Sequence, residues 1–98
     1  MTTTTIRFSL GFLHATPGAL AALVAAGETP TTYLTRHLAG DFGALDPEDV
    51  RANRQDIAHG NGRVLSSYTL PTGVRLWLIT NLVDGQGYDT CLLLPEDY

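Results

Sequence analysis

Hydrophobic residues follow one period in the first part of the chain and another in the last, and this change predicts the fold. Apolar Ile6, Phe8 and Leu10 alternate with polar residues, which predicts a strand that ends near His14-Ala15. Helical spacing of three and four residues then continues to about residue 58, and a period of two begins at residue 63. The expected order is a strand, three short helices and three strands. It predicts an α+β domain with helices on one face of an antiparallel sheet, although the partner of the first strand stays open.

The three predicted helices share one start signal, a polar N-cap residue followed by proline. Thr16-Pro17, Thr29-Pro30 and Asp46-Pro47 place proline at the first helical position, where its missing N–H costs no hydrogen bond. The first helix is expected over residues 17–26, the second ends by Gly40, and the third runs to about Ala58. The third helix has a thin apolar stripe, so much of it should face solvent.

Three strands are predicted over residues 63–70, 74–80 and 88–94, joined by short glycine-containing turns into a meander. In the middle strand Trp77 and Ile79 share one face, while Leu76 and Leu78 share the other. Both faces are therefore apolar, and three short helices can cover only one. We expect a homodimer or a protein partner to cover the Trp77 face.

Length, net charge and cysteine content exclude several classes of protein. The 98 residues form a single domain, 1–98, with a net charge of −4 and six arginines but no lysine. This balance excludes a polybasic membrane binder and disfavours nucleic acid as a partner. With Cys91 as the only cysteine, no internal disulfide can form, and the absence of a long apolar run or a secretion signal favours a cytoplasmic protein.

His37 and Asp41 are the candidate catalytic pair. A histidine near a helix end, four residues before an aspartate between two glycines, has the ingredients of a general base oriented by a carboxylate. The alternative is structural: His37 packs against Tyr33, and Asp41 binds backbone N–H groups of its loop. We favour the structural alternative. No cofactor is expected, nor a metal site, because the three histidines lie on separate elements without ligand spacing.

A second group of residues suggests a binding surface on the sheet. Arg63 and Arg75 fall on neighbouring strands with Tyr68 and Trp77 nearby, a set of residues found on surfaces that bind phosphate or single-stranded RNA. In the alternative interpretation these are ordinary solvated charges and Trp77 lies under the helices. A nuclease would use His37 and Asp41 together with Arg63 or Arg75, the arginine stabilising charge at phosphorus.

The chain also resembles a family of small uncharacterised bacterial proteins encoded on plasmids, phages and integrated elements. The resemblance rests on RHLAGDFG at 36–43, Asp49 with Asn53, GRVLSSY at 62–68, LWLIT at 76–80 and TCLLLPEDY at 90–98. Some members are labelled type I restriction-modification subunit M, although this chain is far too short for a methyltransferase. Phe42 replaces the tryptophan usual in the family, and the acid and Asp-Arg expected after Thr80 are missing.

The resemblance implies a protein of a mobile element and no established activity. If the missing acid and arginine carry a family activity, this chain has lost it. We therefore expect a non-catalytic binding or regulatory module that acts through a protein partner. The alternative is a small toxin-type nuclease.

Overall fold

The chain is described from residue 8 to residue 98 in a computed structural model, and its elements follow the predicted order. The strands are β1 Phe12–Ala15, β2 Gly62–Thr69, β3 Arg75–Val83 and β4 Gln86–Leu93, and the helices are α1 Pro17–Ala25, α2 Pro30–Leu38 and α3 Pro47–His59. A 3₁₀ turn, Pro95–Asp97, follows β4. The α+β class and the antiparallel β2-β3-β4 meander are confirmed.

The first strand differs from its prediction. Ile6 lies outside the described residues, and residues 8–11 do not form a strand. Gly11 has a φ of +67°, in the left-handed region, and a Cβ there would overlap the carbonyl oxygen of Tyr88, so the chain turns before β1 begins. β1 then pairs parallel with β4, which makes the sheet mixed, in the order β1-β4-β3-β2.

The helix boundaries follow from their caps. All three helices have proline in the first turn, as predicted. The Thr16 side chain accepts a hydrogen bond from the backbone N–H of Ala19 at 3.1 Å. Thr29 and Asp46 stand at the N-cap positions of α2 and α3, but their side chains make no capping hydrogen bond, so that part of the prediction is wrong. α3 ends at His59, and the following Gly60, with a φ of 76°, lets the chain leave the helix in the left-handed conformation. Each helix is therefore delimited by residues within or next to it.

The helices cover one face of the sheet and leave the other face without a helix. Inward residues of β2, β3 and β4 pack against α1 and α2 in one apolar cluster that includes Leu23, Tyr33 and Leu78. A second cluster joins Phe8 and Phe42 to the far end of β2 and to α3. We call the opposite side of the sheet the open face, because none of α1, α2 and α3 packs on it, although the segment that follows β4 contacts β3 and Tyr98 reaches over Trp77.

Loops and a side chain of α3 occupy the outer edge of β2. The Asn53 amide donates to the carbonyl oxygen of Leu65 at 2.7 Å and accepts from its N–H at 3.0 Å, the two bonds a neighbouring strand would make. Next along the edge, the Ser67 N–H donates to Phe42 O at 3.0 Å and Ser67 O accepts from the Ala44 N–H at 2.7 Å. The edge is therefore closed to another strand.

The opposite edge of the sheet, β1, differs from β2. All four of its residues are exposed, including the apolar side chains of Phe12 and Leu13. Apart from its ladder with β4, no hydrogen bond from residues 8–98 reaches its backbone. The described part of the sheet thus has one closed edge and one open edge.

Candidate functional site

His37 lies in the protein core rather than in a cleft. Its side chain is 0% exposed, and its ring packs edge-on against Phe8 at 5.1 Å between ring centroids. Nδ1 lies 2.5 Å from Ser66 Oγ, and Nε2 lies 2.9 Å from Thr80 Oγ1. Neither nitrogen is available to a substrate, and His37 does not bond to Asp41.

A backbone carbonyl fixes the direction of every hydrogen bond around His37. The Thr90 hydroxyl lies 2.8 Å from Leu10 O, which can only accept, so Thr90 donates there. Thr80 must then donate to Thr90, 2.6 Å away, and its own oxygen accepts from His37 Nε2–H. Nδ1 is left as an acceptor for the Ser66 hydroxyl. The network holds a neutral imidazole with its proton on Nε2.

Burial makes the charged form of His37 unfavourable. Loss of hydration lowers the pKa of its imidazole from 6.5 to about 4. The protonated ring would also present a second N–H, at Nδ1, to a Ser66 hydroxyl whose proton already points at the ring. His37 therefore fixes α2 to strands β2 and β3 as a neutral group.

The alternation of residues between the two faces of each strand could have predicted the partners of His37. Ser66 stands between Val64 and Tyr68 in β2, and alternate residues of a strand share a face. Thr80 occupies the same kind of position in β3. Small hydroxyl residues on a face that is otherwise apolar need a polar partner from the layer above, and His37 supplies it.

Asp41 forms its hydrogen bonds within and next to its own loop, with one backbone N–H, as the structural alternative expects, and with the Arg36 side chain. Its carboxylate accepts from Arg36 Nε at 2.7 Å and from the Gly43 N–H at 3.3 Å. The Arg36 guanidinium, which donates to it, is the main cause that holds the pKa of Asp41 below its usual value. The sequence analysis missed Arg36 as the partner of Asp41. Its position in the last turn of α2, five residues before Asp41, could have indicated this pair.

Tyr68 lies on the helix side of the sheet and not beside Trp77. It is 1% exposed, its hydroxyl donates to Asp41 O at 2.6 Å, and the Arg36 guanidinium stacks over its ring at 4.5 Å. Burial raises the pKa of this phenol to about 12. Tyr68 thus connects the Arg36–Asp41 pair to the core, and it is not available on the open face.

The structure brings three of the predicted site residues together on the open face: Arg63, Arg75 and Trp77. Within the β2–β3 ladder Arg63 is opposite Asn81, and Trp77 is opposite Ser67. Arg75 donates to the Ser67 hydroxyl at 3.3 Å. The arginines are exposed and Trp77 is half-buried, so the interpretation that Trp77 lies under the helices is wrong.

The last residue of the chain lies over this face. Tyr98 accepts a hydrogen bond from Arg63 Nη1 at 2.5 Å, and its ring meets Trp77 edge-on at 5.8 Å between centroids. We call the position between Arg63 and Trp77 the Tyr98 seat. The tyrosine in it is still 71% exposed.

Residues 8–98 were also compared with the requirements of a metal site, a membrane-spanning helix and a reactive cysteine. No group of three His, Cys, Asp or Glu side chains is placed to hold a metal ion, and no helix is long and apolar enough to cross a membrane. Cys91 lies on the open face, half-buried, and burial is the main cause that raises the pKa of its thiol. The raised pKa reduces the fraction of reactive thiolate.

Comparison of the chain with protein-family models, curated proteins and solved structures finds no significant match. The resemblance to the mobile-element family therefore stays a prediction, and the functional argument rests on the geometry of the open face.

Proposed function

We propose that this protein is a non-catalytic binding or regulatory module of a bacterial mobile element, acting in the cytoplasm through a protein partner. The observation that supports it best is the open face. This face carries a half-buried tryptophan between two exposed arginines, Arg63 and Arg75. Tryptophan and arginine are the residues most enriched at binding hot spots.

The nuclease alternative gains no support from the described geometry. His37, its candidate base, is enclosed on the helix side of the sheet, whereas Arg63 and Arg75 lie on the other side. A general base must come within hydrogen-bond reach of the proton it removes. These residues therefore do not form one catalytic group in this fold.

Site-specific photo-crosslinking in a bacterial host tests the proposed function. A benzophenone amino acid replaces Thr69, which is exposed on the open face opposite Arg75, and in a matched control it replaces Gln55, which is exposed on α3. We expect a discrete protein adduct from position 69 only, lost when Trp77→Ala is added to a chain that still folds. Absence of any adduct at position 69, or equal adducts at both positions, would contradict the proposal.

A further inference from the structure

The Tyr98 seat shows which chemistry the open face accepts. Arg63 donates to the tyrosine hydroxyl and its guanidinium lies 5.7 Å from the centre of the tyrosine ring, while Trp77 contacts the ring edge. The seat therefore combines a cationic hydrogen-bond donor with an aromatic surface. An aromatic side chain that carries an acceptor fits both.

Tyr98 can leave the seat while the segment before it keeps its place. That segment is held by Asp97, whose carboxylate accepts from the Thr16 hydroxyl at 2.7 Å and from the Leu94 N–H at 3.1 Å. Both bonds lie before Tyr98, which is itself mostly exposed. An incoming aromatic residue therefore displaces one exposed side chain and no part of the core.

The charges of the open face point to an acidic occupant. Within residues 8–98 the only ion pair joins Arg36 to Asp41, so neither Arg63 nor Arg75 has a carboxylate partner. Asp89 accepts from the neutral Asn81 amide at 2.8 Å, and Asp56 accepts from the Arg63 backbone N–H at 3.2 Å, but neither carboxylate pairs with a guanidinium group. Carboxylates on a partner would meet two uncompensated guanidinium groups.

The spacing of the arginines gives the length of the occupant. Arg63 is opposite Asn81 in the ladder, six positions along β3 from Arg75. At about 3.3 Å per residue this corresponds to roughly 20 Å, which about seven residues of an extended chain span with both end side chains on one face. Trp77 and the Tyr98 seat lie between the two ends.

We propose that the open face binds an extended segment of the partner protein, about seven residues long, with an acidic residue near each end and, on the same face of the segment, an aromatic residue between them. The aromatic residue takes the Tyr98 seat, and the acids pair with Arg63 and Arg75. A single-stranded nucleic acid would offer phosphates and bases to the same residues, but the chain itself carries a net charge of −4, which opposes a polyanion.

The test uses the 98-residue chain and the acetylated, amidated peptide EAYATAE, in which strand alternation puts both glutamates and the tyrosine on one face. Trp77 is the only tryptophan, so its fluorescence reports binding directly. We expect Tyr98→Ala to bind this peptide about threefold to fivefold more tightly than the unmodified chain, because the seat is empty. In the Tyr98→Ala background, Arg63→Gln and Arg75→Gln should each weaken binding by about threefold to fivefold. Arg51→Gln, on the exposed side of α3, is the matched control and should change nothing.

Two further peptides test the chemistry: QAYATAQ removes the acids, and EAAATAE removes the aromatic ring. Both should bind more weakly than EAYATAE. Equal binding of all three peptides, no effect of either arginine variant in chains with unchanged circular dichroism, or tighter binding of a seven-nucleotide oligouridylate would overturn the inference.

This inference rests on the proposed function, but the two can fail separately. If a partner is crosslinked at position 69 but the peptides do not bind, the proposed binding function stands and the proposed extended segment is refuted. Absence of the crosslink would refute the module whatever the peptides do.

Discussion

Acidification should destabilise this protein between pH 6.5 and pH 4 through one buried group. The pKa of His37 is lowered by burial to about 4, whereas an unfolded chain binds the same proton near 6.5. The unfolded state therefore binds more protons than the folded state throughout this range. Stability is at its full value above pH 6.5 and is lost as the pH falls.

The size of the loss follows from the two pKa values of His37. Each unit between the folded and unfolded pKa corresponds to about 1.4 kcal/mol of unfolding free energy. Linkage then gives a loss of about 2 kcal/mol at pH 5 and about 3 kcal/mol at pH 4, relative to neutral pH. The stabilising carboxylate of Asp41 acts in a lower window, because its pKa lies below 3.8 in the folded chain.

Urea unfolding at several pH values between 7.5 and 5, followed by the fluorescence of Trp77, measures this loss. The unmodified chain and His14→Gln, which changes an exposed histidine of β1, should both lose about 2 kcal/mol by pH 5. His37→Gln should be less stable at neutral pH and should show a much flatter dependence. Nitrogen-15 shifts of the ring, recorded on the unmodified chain, should report a proton on Nε2 at pH 7.

A flat stability curve for the unmodified chain between pH 6.5 and pH 5 would refute this reasoning. So would a His37 ring that titrates near 6.5 in the folded protein, or one with its proton on Nδ1. The last two results come from the unmodified chain, so they do not depend on whether His37→Gln folds.

Three further predictions concern the loop and edge contacts. Asn53→Leu should lower the unfolding free energy by about 1–3 kcal/mol in urea titrations, because two backbone groups of β2 lose their partner. The control Gln55→Ala, on the exposed side of α3, should change the unfolding free energy by no more than about 0.5 kcal/mol. Gly43→Ala should cost about 1–3 kcal/mol in the same assay, since its φ is +72° and a Cβ would overlap the Ser67 carbonyl; unchanged stability would contradict the described loop. Asp41→Ala should lower the melting temperature and leave the position-69 crosslink intact, and the reverse order would favour a functional role for this carboxylate.

Local signals predicted most of the fold. Proline after a capping residue marks each helix start, and a change of hydrophobic period marks the strands, because caps and side-chain alternation depend on neighbours in sequence. Alternation also placed Trp77 and Ile79 on one face of β3. The element order and the faces of β3 were therefore predictable.

Contacts between distant parts of the chain were not predictable in this way. The first strand depends on Gly11 approaching the backbone at Tyr88 and on a parallel ladder with β4, and neither leaves a local pattern. The same holds for Arg36 stacked on Tyr68 and for Tyr98 lying over Trp77. Candidate residues were thus recognised by type, but only the structure separated Tyr68 from the open face.

The unequal edges of the sheet limit how copies of this protein can associate. A strand edge is a template for another strand, and a sheet with two such edges can add copies at both ends without limit. Here the β2 edge is occupied by Asn53 and by the loop around Gly43, and β1 is the edge left open among residues 8–98. Pairing between two β1 strands uses the open edge of each copy, so growth stops at two. Removal of the Asn53 amide would free only the N–H and carbonyl of Leu65, because the loop bonds to Ser67 would still occupy the rest of this edge.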